Sequence, residues 1–370
     1  MYKYDFVLTA SSYYPVTGGV ENSIYNLSKE LNNQGFRPLI VTTDNRLIEK
    51  VNQFEFKIEN IQNQKVIRYH YYKNPLLQLI SGFFIIVFIN LKYSPKYFIC
   101  RDNLHAFITA LIKIKTLYLI PGLCLHELHN KNSLRIRGKK FIHFYAIKKS
   151  MKIAVLSKFM QNDLVKYYKR KPLLIKPGFN KPINYDNKKI ISKYSLISIG
   201  RFVKHKNFSM LLKAFSLLPK EFDLTLIGYG VLKDELSNLI KNLNISERVK
   251  FISNGENANL YYNQSSIYVL PSIYEPFGQV LLEAMSYGLK VCAFDPSINN
   301  VHTATNEIVP DFCLFLAKKL TSKSLSKTIK IASAANINKS KISNYVNKNY
   351  SWLNFSRDIL KQFEIDSLEK

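Results

Sequence analysis

Short apolar runs alternate with longer segments of helical periodicity along most of this chain. Residues 5–10, 37–42, 97–101, 117–127, 152–156 and 173–175 read as strands, the fourth interrupted at Pro121 and Gly122. Helical spacing is seen at 20–34 and 106–114. After a polar stretch, 180–193, the rhythm restarts. Strands at 196–199, 223–227, 249–252, 267–270 and 290–294 alternate with helices at 207–218, 232–243, 258–263 and 279–287. Strands alternating with helices predict parallel sheets, here two doubly wound α/β units in tandem. Ligands of such sheets bind beyond the carboxyl ends of the strands. Residues 75–91 stand apart because they are almost wholly apolar. That run is shorter than the ~20 residues a spanning helix needs, and Gln78, Ser81 and Asn90 interrupt it. A buried or interfacial helix is expected, with Phe83, Phe84 and Phe88 in core packing rather than in lipid.

A length of 370 residues suits two α/β domains better than one core. Cys100, Cys124, Cys292 and Cys313 lie far apart, without metal-type spacing or disulfide density, so reduced thiols of a cytosolic protein are expected. The chain enters a strand at once, and no signal peptide is expected. The net charge of +27 is uneven: residues 1–180 hold 28 Lys/Arg against 10 Asp/Glu (28 − 10 = +18), and residues 181–370 hold 25 against 16 (25 − 16 = +9). Residues 128–162 carry Lys131, Arg135, Arg137, Lys139, Lys140, Lys148, Lys149, Lys152 and Lys158 and no acid. An AT-rich gene would also raise lysine, and the chain has 43 Lys against 10 Arg. Such bias accounts for the total but not for a long window free of acids. An anionic membrane surface or a phosphate-bearing acceptor is the favoured partner. Nucleic acid is not expected, since no zinc-finger spacing or aromatic RNA-binding signature accompanies the charge.

Four motifs fall at strand ends. Gly18-Gly19 precede a helix, where glycine lets backbone N–H groups approach an anion; Glu21 reads as a first-turn charge on that helix. Arg201 and Lys206 stand five apart across one loop, so both can reach one diphosphate, Arg as a fork and Lys as a point charge. Gly228-Tyr229-Gly230 ends another strand and suits close approach of a base or phosphate, or a plain turn. His126 and His129 lie in the Leu123–Asn130 segment, where a histidine could touch a sugar or be a hydrogen-bonded core residue. The densest motif runs from Pro271 to Gly288: strand, turn with Glu275 and Gly278, then a helix carrying Glu283. Strand, loop and helix N-terminus form an anion site, and two glutamates add hydroxyl-binding groups.

These pieces in this order resemble the large retaining family of GT-B glycosyltransferases, the fourth of the sequence-based families. The resemblance covers most of the chain. It implies an α/β fold of two Rossmann-like domains facing across a cleft, with the last helix, here from Tyr350 to Phe363, crossing back. The acceptor domain would be residues 1–180 plus about 350–370, and the donor domain residues 181–349. Carried over by position, Arg201 and Lys206 would neutralise the leaving diphosphate, and Glu283 would hold the ribose hydroxyls. Glu275 would bind the transferred sugar near its anomeric carbon. Backbone N–H groups of Phe277, Gly278 and Gln279 would line sugar and phosphate, together with Gly228 and Gly230. Gly19 would approach the diphosphate from the other domain, and His126 would contact the sugar. His126 is preferred to His129 because it ends an apolar strand and precedes an acid. Departures occur at Lys176-Pro177-Gly178-Phe179-Asn180, where the family often has Asn-Gly, and in the lack of any glycine after Gly288.

The expected donor is a nucleoside-diphosphate sugar. No Asp-x-Asp occurs, so no metal and no cofactor are expected. The expected product is a bacterial surface polysaccharide (O-antigen, capsule or lipopolysaccharide) built on a lipid-linked or oligosaccharide acceptor. The expected location is peripheral, on the cytoplasmic face of the inner membrane. The rival readings are an enzyme with a soluble acceptor and a catalytically silent membrane-binding protein of the same fold.

Overall fold

The computed structural model describes residues 3–16, 18–45, 51–53, 55–123, 133–180, 192–252 and 258–364. The chain divides into two compact units, Met1–Gly178 with Ser351–Lys370, and Phe179–Tyr350.

In the first unit, β1 (Phe6–Thr9), α1 (Gly19–Asn33) and β2 (Pro38–Thr43) are followed by a hairpin of β3 (Phe56–Ile61) and β4 (Gln64–Tyr69). Next come α2 (Pro75–Tyr93), β5 (Tyr97–Cys100), α3 (Asn103–Leu111) and β6 (Thr116–Leu119). The described part of the unit continues with α4 (Leu134–Lys149), β7 (Lys152–Val155), α5 (Lys158–Tyr168) and β8 (Leu173–Leu174). The eight strands order as β3-β4-β2-β1-β5-β6-β7-β8, parallel except for the β3–β4 pair. Adjacent residues of a strand face opposite sides of a sheet. Phe6 and Leu8 therefore join one core with Ile24, Leu27 and Leu31 of α1, while Val7 joins the other with Ile85, Ile86 and Ile89 of α2. Both faces are covered, which is why β1 and β2 read as unbroken apolar runs.

The expected strand at 117–127 closes at Leu119. The β3–β4 hairpin escapes the sequence reading for two reasons. It turns on Gln62 and Asn63, both at positive φ, without a glycine to mark the turn. Its outer strand is also largely exposed and lacks an apolar run. Helix α2 is long and apolar enough to cross a bilayer by length and composition alone, yet one side of it packs into the core. Phe83 and Phe88 pack there as expected, but Phe84 points outward and is 67% exposed.

The second unit begins with β9 (Ser195–Ile199), α6 (Phe208–Phe215), β10 (Asp223–Ile227), α7 (Lys233–Asn242) and β11 (Val249–Ile252). It proceeds through α8 (Ala258–Asn263), β12 (Ile267–Leu270), β13 (Tyr274–Glu275), α9 (Gln279–Ser286) and β14 (Lys290–Phe294). It ends with β15 (His302–Thr303), α10 (Thr305–Ile308), β16 (Leu314–Ala317), α11 (Ser322–Ala334) and α12 (Lys339–Asn349). Its main sheet is parallel, in the order β11-β10-β9-β12-β14-β16; β13 and β15 pair separately. Successive strands add outward on one side from β9, then on the other from β12. The switch between them is where a doubly wound sheet opens a binding crevice.

Helix α13 (Trp352–Lys361) returns to the first unit. Ser351 caps it by accepting from Asn354 N, and Trp352, Phe355, Ile359 and Leu360 are buried in the core shared with α1. The Trp352 indole lies so close to Gly178 that a Cβ there would fall 2.2 Å from its Cδ2. Trp352→Ala is expected to lower stability by about 3–5 kcal/mol through the cavity it leaves, measured as a fall in the midpoint of guanidinium denaturation.

Candidate active site

The segments leaving β9 and β12 supply the charges of the second unit's crevice. After β9 the chain makes a short 3-10 turn, Lys204–Lys206, which stops at Asn207 in a left-handed conformation. After β12 it forms β13, then turns at Gly278 to start α9. The two segments are stitched together: Ile273 N donates to His205 O at 2.9 Å and Asn207 Nδ2 to Pro271 O at 3.2 Å. β15 holds β13 from the other side, His302 N donating to Ile273 O and Ala304 N to Glu275 O. On this frame Lys206 Nζ donates to Glu275 Oε2, forming an ion pair with both side chains largely buried. Lys206 and Glu275, from different ends of the sequence motif set, thus neutralise one another. Arg201 stands on the same loop with an exposed side chain.

Helix α9 begins at Gly278, whose φ of +84° excludes most side chains; a Cβ there would also meet Glu275 Cγ at 3.0 Å. No side chain caps this N-terminus. First-turn amides have no partner within a helix, so the N–H groups beside Gly278 and Gln279 are left for an anion next to Glu275. Phe277 itself is buried. Gly228 and Gly230 serve a packing need: Gly228 lies against Gly200 O, where a Cβ would come within 2.0 Å, and the loop is locked by Phe202 N donating to Tyr229 O.

A family model described as "Glycosyl transferases group 1" matches residues 180–349. An uncharacterised glycosyltransferase of Methanocaldococcus jannaschii is 30% identical over 78% of this chain and 78% of its own length. The chain belongs to the group 1 glycosyl transferases. A second relative of this glycosyltransferase, from Campylobacter jejuni, is 28% identical over 60% of this chain and 65% of its own length. Its name is N-acetylgalactosamine-N,N'-diacetylbacillosaminyl-diphospho-undecaprenol 4-alpha-N-acetylgalactosaminyltransferase. Among solved structures, Anabaena HepE in complex with UDP-glucose aligns with a TM-score of 0.75 at 15% identity, covering 97% of this chain and 99% of that one. The fold is GT-B, with one Rossmann-like sheet in each unit.

Glu283 of this glycosyltransferase sits one helical turn and a half into α9 and accepts from Tyr262 OH at 3.1 Å. Burial pushes its carboxyl above the ordinary value, with the Tyr262 bond opposing. Gly19 opens α1 in the first unit, behind Gly18, with Glu21 in the first turn accepting from Ser12 Oγ. His126, Glu127 and His129 lie outside the described residues. Two participants had no sequence signal. Tyr262 comes from α8, whose short polar segment gave no hint of a contact with α9. His205 lies between the two cations; burial, Lys206 and Arg201 push its imidazole down to about 4, leaving it neutral at physiological pH.

The raised Glu283 carboxyl has a stability consequence. A carboxyl whose folded value exceeds its unfolded one opposes folding once it ionises, so its penalty appears as pH rises above the unfolded value near 4.5. Glu283→Gln keeps the Tyr262 hydrogen bond and removes that charge. It is expected to melt higher than the parent at pH 7, with the gap closing as pH falls towards 4, in scanning calorimetry.

Proposed function

We propose that this glycosyltransferase transfers a sugar, with retention and without a metal ion, from a nucleoside-diphosphate donor to a lipid-linked bacterial surface glycan. The observation that carries the reading is the Lys206–Glu275 pair beside the uncapped start of α9. Cleavage of a glycosyl phosphate builds negative charge on the diphosphate and positive charge on the sugar ring. Lys206, Arg201 and the α9 amides face the first charge, and Glu275 is placed for the second. An arriving diphosphate competes with Glu275 for Lys206. The exchange frees the Glu275 carboxylate for sugar hydroxyls, so one ion pair converts into two productive contacts. Glu283 takes the ribose hydroxyls. The Anabaena structure with UDP-glucose supports this donor class, and the name of the Campylobacter relative supports a polyprenyl-diphosphate acceptor. O-antigen, capsule and lipopolysaccharide are the products of this kind.

The first unit supplies a surface for the membrane. α2 and α4 lie in one helical layer, each packed against α3. The outer side of α2 exposes Leu76, Leu77, Ile80, Phe84 and Leu91, and α4 exposes Leu134, Phe141 and Phe144. Arg135, Arg137, Lys139 and Lys149 are exposed around these, and neither helix contains an acid. Apolar side chains ringed by cations match an anionic bilayer on the cytoplasmic face.

Lys206→Ala and Glu275→Gln are each expected to lower transfer from the cognate nucleoside-diphosphate sugar by about 10²–10³-fold, measured by nucleotide release. Wild-type rates in both variants would end the catalytic reading. Sedimentation with phosphatidylglycerol vesicles tests the second element. Wild type should pellet at low salt, and Phe84→Glu/Phe144→Glu should stay in the supernatant with donor binding unchanged. Activity on a soluble glycan without vesicle binding would assign a soluble acceptor instead.

A further inference from the structure

The amino ends of β9, β12 and β14 lie at the opposite edge of the second sheet from Lys206 and Glu275, and a pocket of about 320 Å³ opens there. Lys193, Lys290 and Lys339 line it, with Ser266 and the turn that joins α11 to α12. No acidic side chain among the described residues lines it.

Two of these lysines, Lys290 and Lys339, are partly or wholly withdrawn from solvent. Lys290 opens a central strand and is only 8% exposed. Two of its ammonium protons go to Ala332 O and Ala335 O, at 2.6 and 3.0 Å, where α11 ends. Those carbonyls hold the side chain in one orientation, and the negative end of the α11 dipole offsets only part of its charge. Lys339 is the first residue of α12, where the helix dipole repels a cation, and its backbone is pressed against Gly288. Burial lowers its affinity for a proton; burial does the same at Lys290, with Lys339 and Lys193 adding to it. Mutual repulsion, partial burial and an unfavourable helix end are all relieved by one event, the arrival of a compact multiply charged anion.

We propose that this pocket is a second anion site of the protein, separate from the donor site, which takes a phosphate group through Lys193, Lys290 and Lys339. The phosphate can be free in solution or belong to a lipid headgroup. This inference does not depend on the proposed transfer reaction.

The test is calorimetric titration of the full-length protein with inorganic phosphate at constant ionic strength set by chloride. Lys206→Ala is used in parallel to weaken phosphate binding at the donor site. A saturable site that persists in Lys206→Ala is expected. Lys193→Ala/Lys339→Ala should weaken it at least tenfold while leaving nucleotide binding unchanged. Lys193→Ala alone, at an exposed position, should give a smaller loss and covers the case in which the double variant fails to fold. Titrations indistinguishable from chloride, or an unaltered affinity in both lysine variants, would overturn the proposal. Vesicles containing phosphatidic acid identify the source. Binding that is lost in the lysine variants and competed by inorganic phosphate assigns a headgroup, and binding of inorganic phosphate alone assigns a soluble ion.

Discussion

β9 and β12 are neighbours in the sheet, but the strands that follow them add outward in opposite directions. The loops at their carboxyl ends must therefore diverge, and a crevice opens between them. Nearly every feature of the candidate donor site answers to this constraint. The β9 loop brings Arg201 and Lys206, the β12 loop brings Glu275, and α9 starts within reach of both. The small β13–β15 pairing prevents the divergent loops from fraying, because it hydrogen-bonds the backbone on either side of Glu275. The Lys206–Glu275 pair then ties the loops through their side chains.

Much of this architecture is legible in the residues because parallel strands covered on both faces leave continuous apolar runs. β1, β2, β12 and β14 show that pattern most fully, whereas β9 and β10 are interrupted by Ser198 and Thr225. The elements that escape are those that break it. β3 is an exposed edge, β16 is only partly buried, and β13 and β15 are two-residue pairings with no periodicity to detect. The motif residues around Pro271–Gly288 were legible because glycine and glutamate are unusual directly after a buried strand. Their mutual arrangement was not. Nothing in the spacing of Lys206 and Glu275 says that they meet, since 69 residues separate them and only the sheet order brings them together. Gly228 and Gly230 show the converse. Their spacing suits close approach of a base or phosphate as well as a plain turn, and the structure adds a tight backbone contact that itself requires glycine.

Lysine abundance takes on different meanings in different places. Base composition can set how many lysines a chain has, but the fold decides where their charge is tolerated. On α4 the cations are solvated and cost little. At Lys206 the charge is balanced by a carboxylate. At Lys290 and Lys339 it is partly buried against other cations, and there a lysine is hardest to explain as mere composition.

The course of the chain between the two units carries a consequence for biosynthesis. All of the second unit lies between Gly178 and Ser351, and the buried side chains of α13 are made after it. On the ribosome, the second unit is therefore complete before the first has its last core helix. The first unit waits with the α1 side of its sheet incompletely covered until Trp352, Phe355, Ile359 and Leu360 emerge. Of the two units, the one whose synthesis starts earlier is the one that finishes folding later, and a chain truncated near residue 350 would release a folded second unit attached to an incomplete first one.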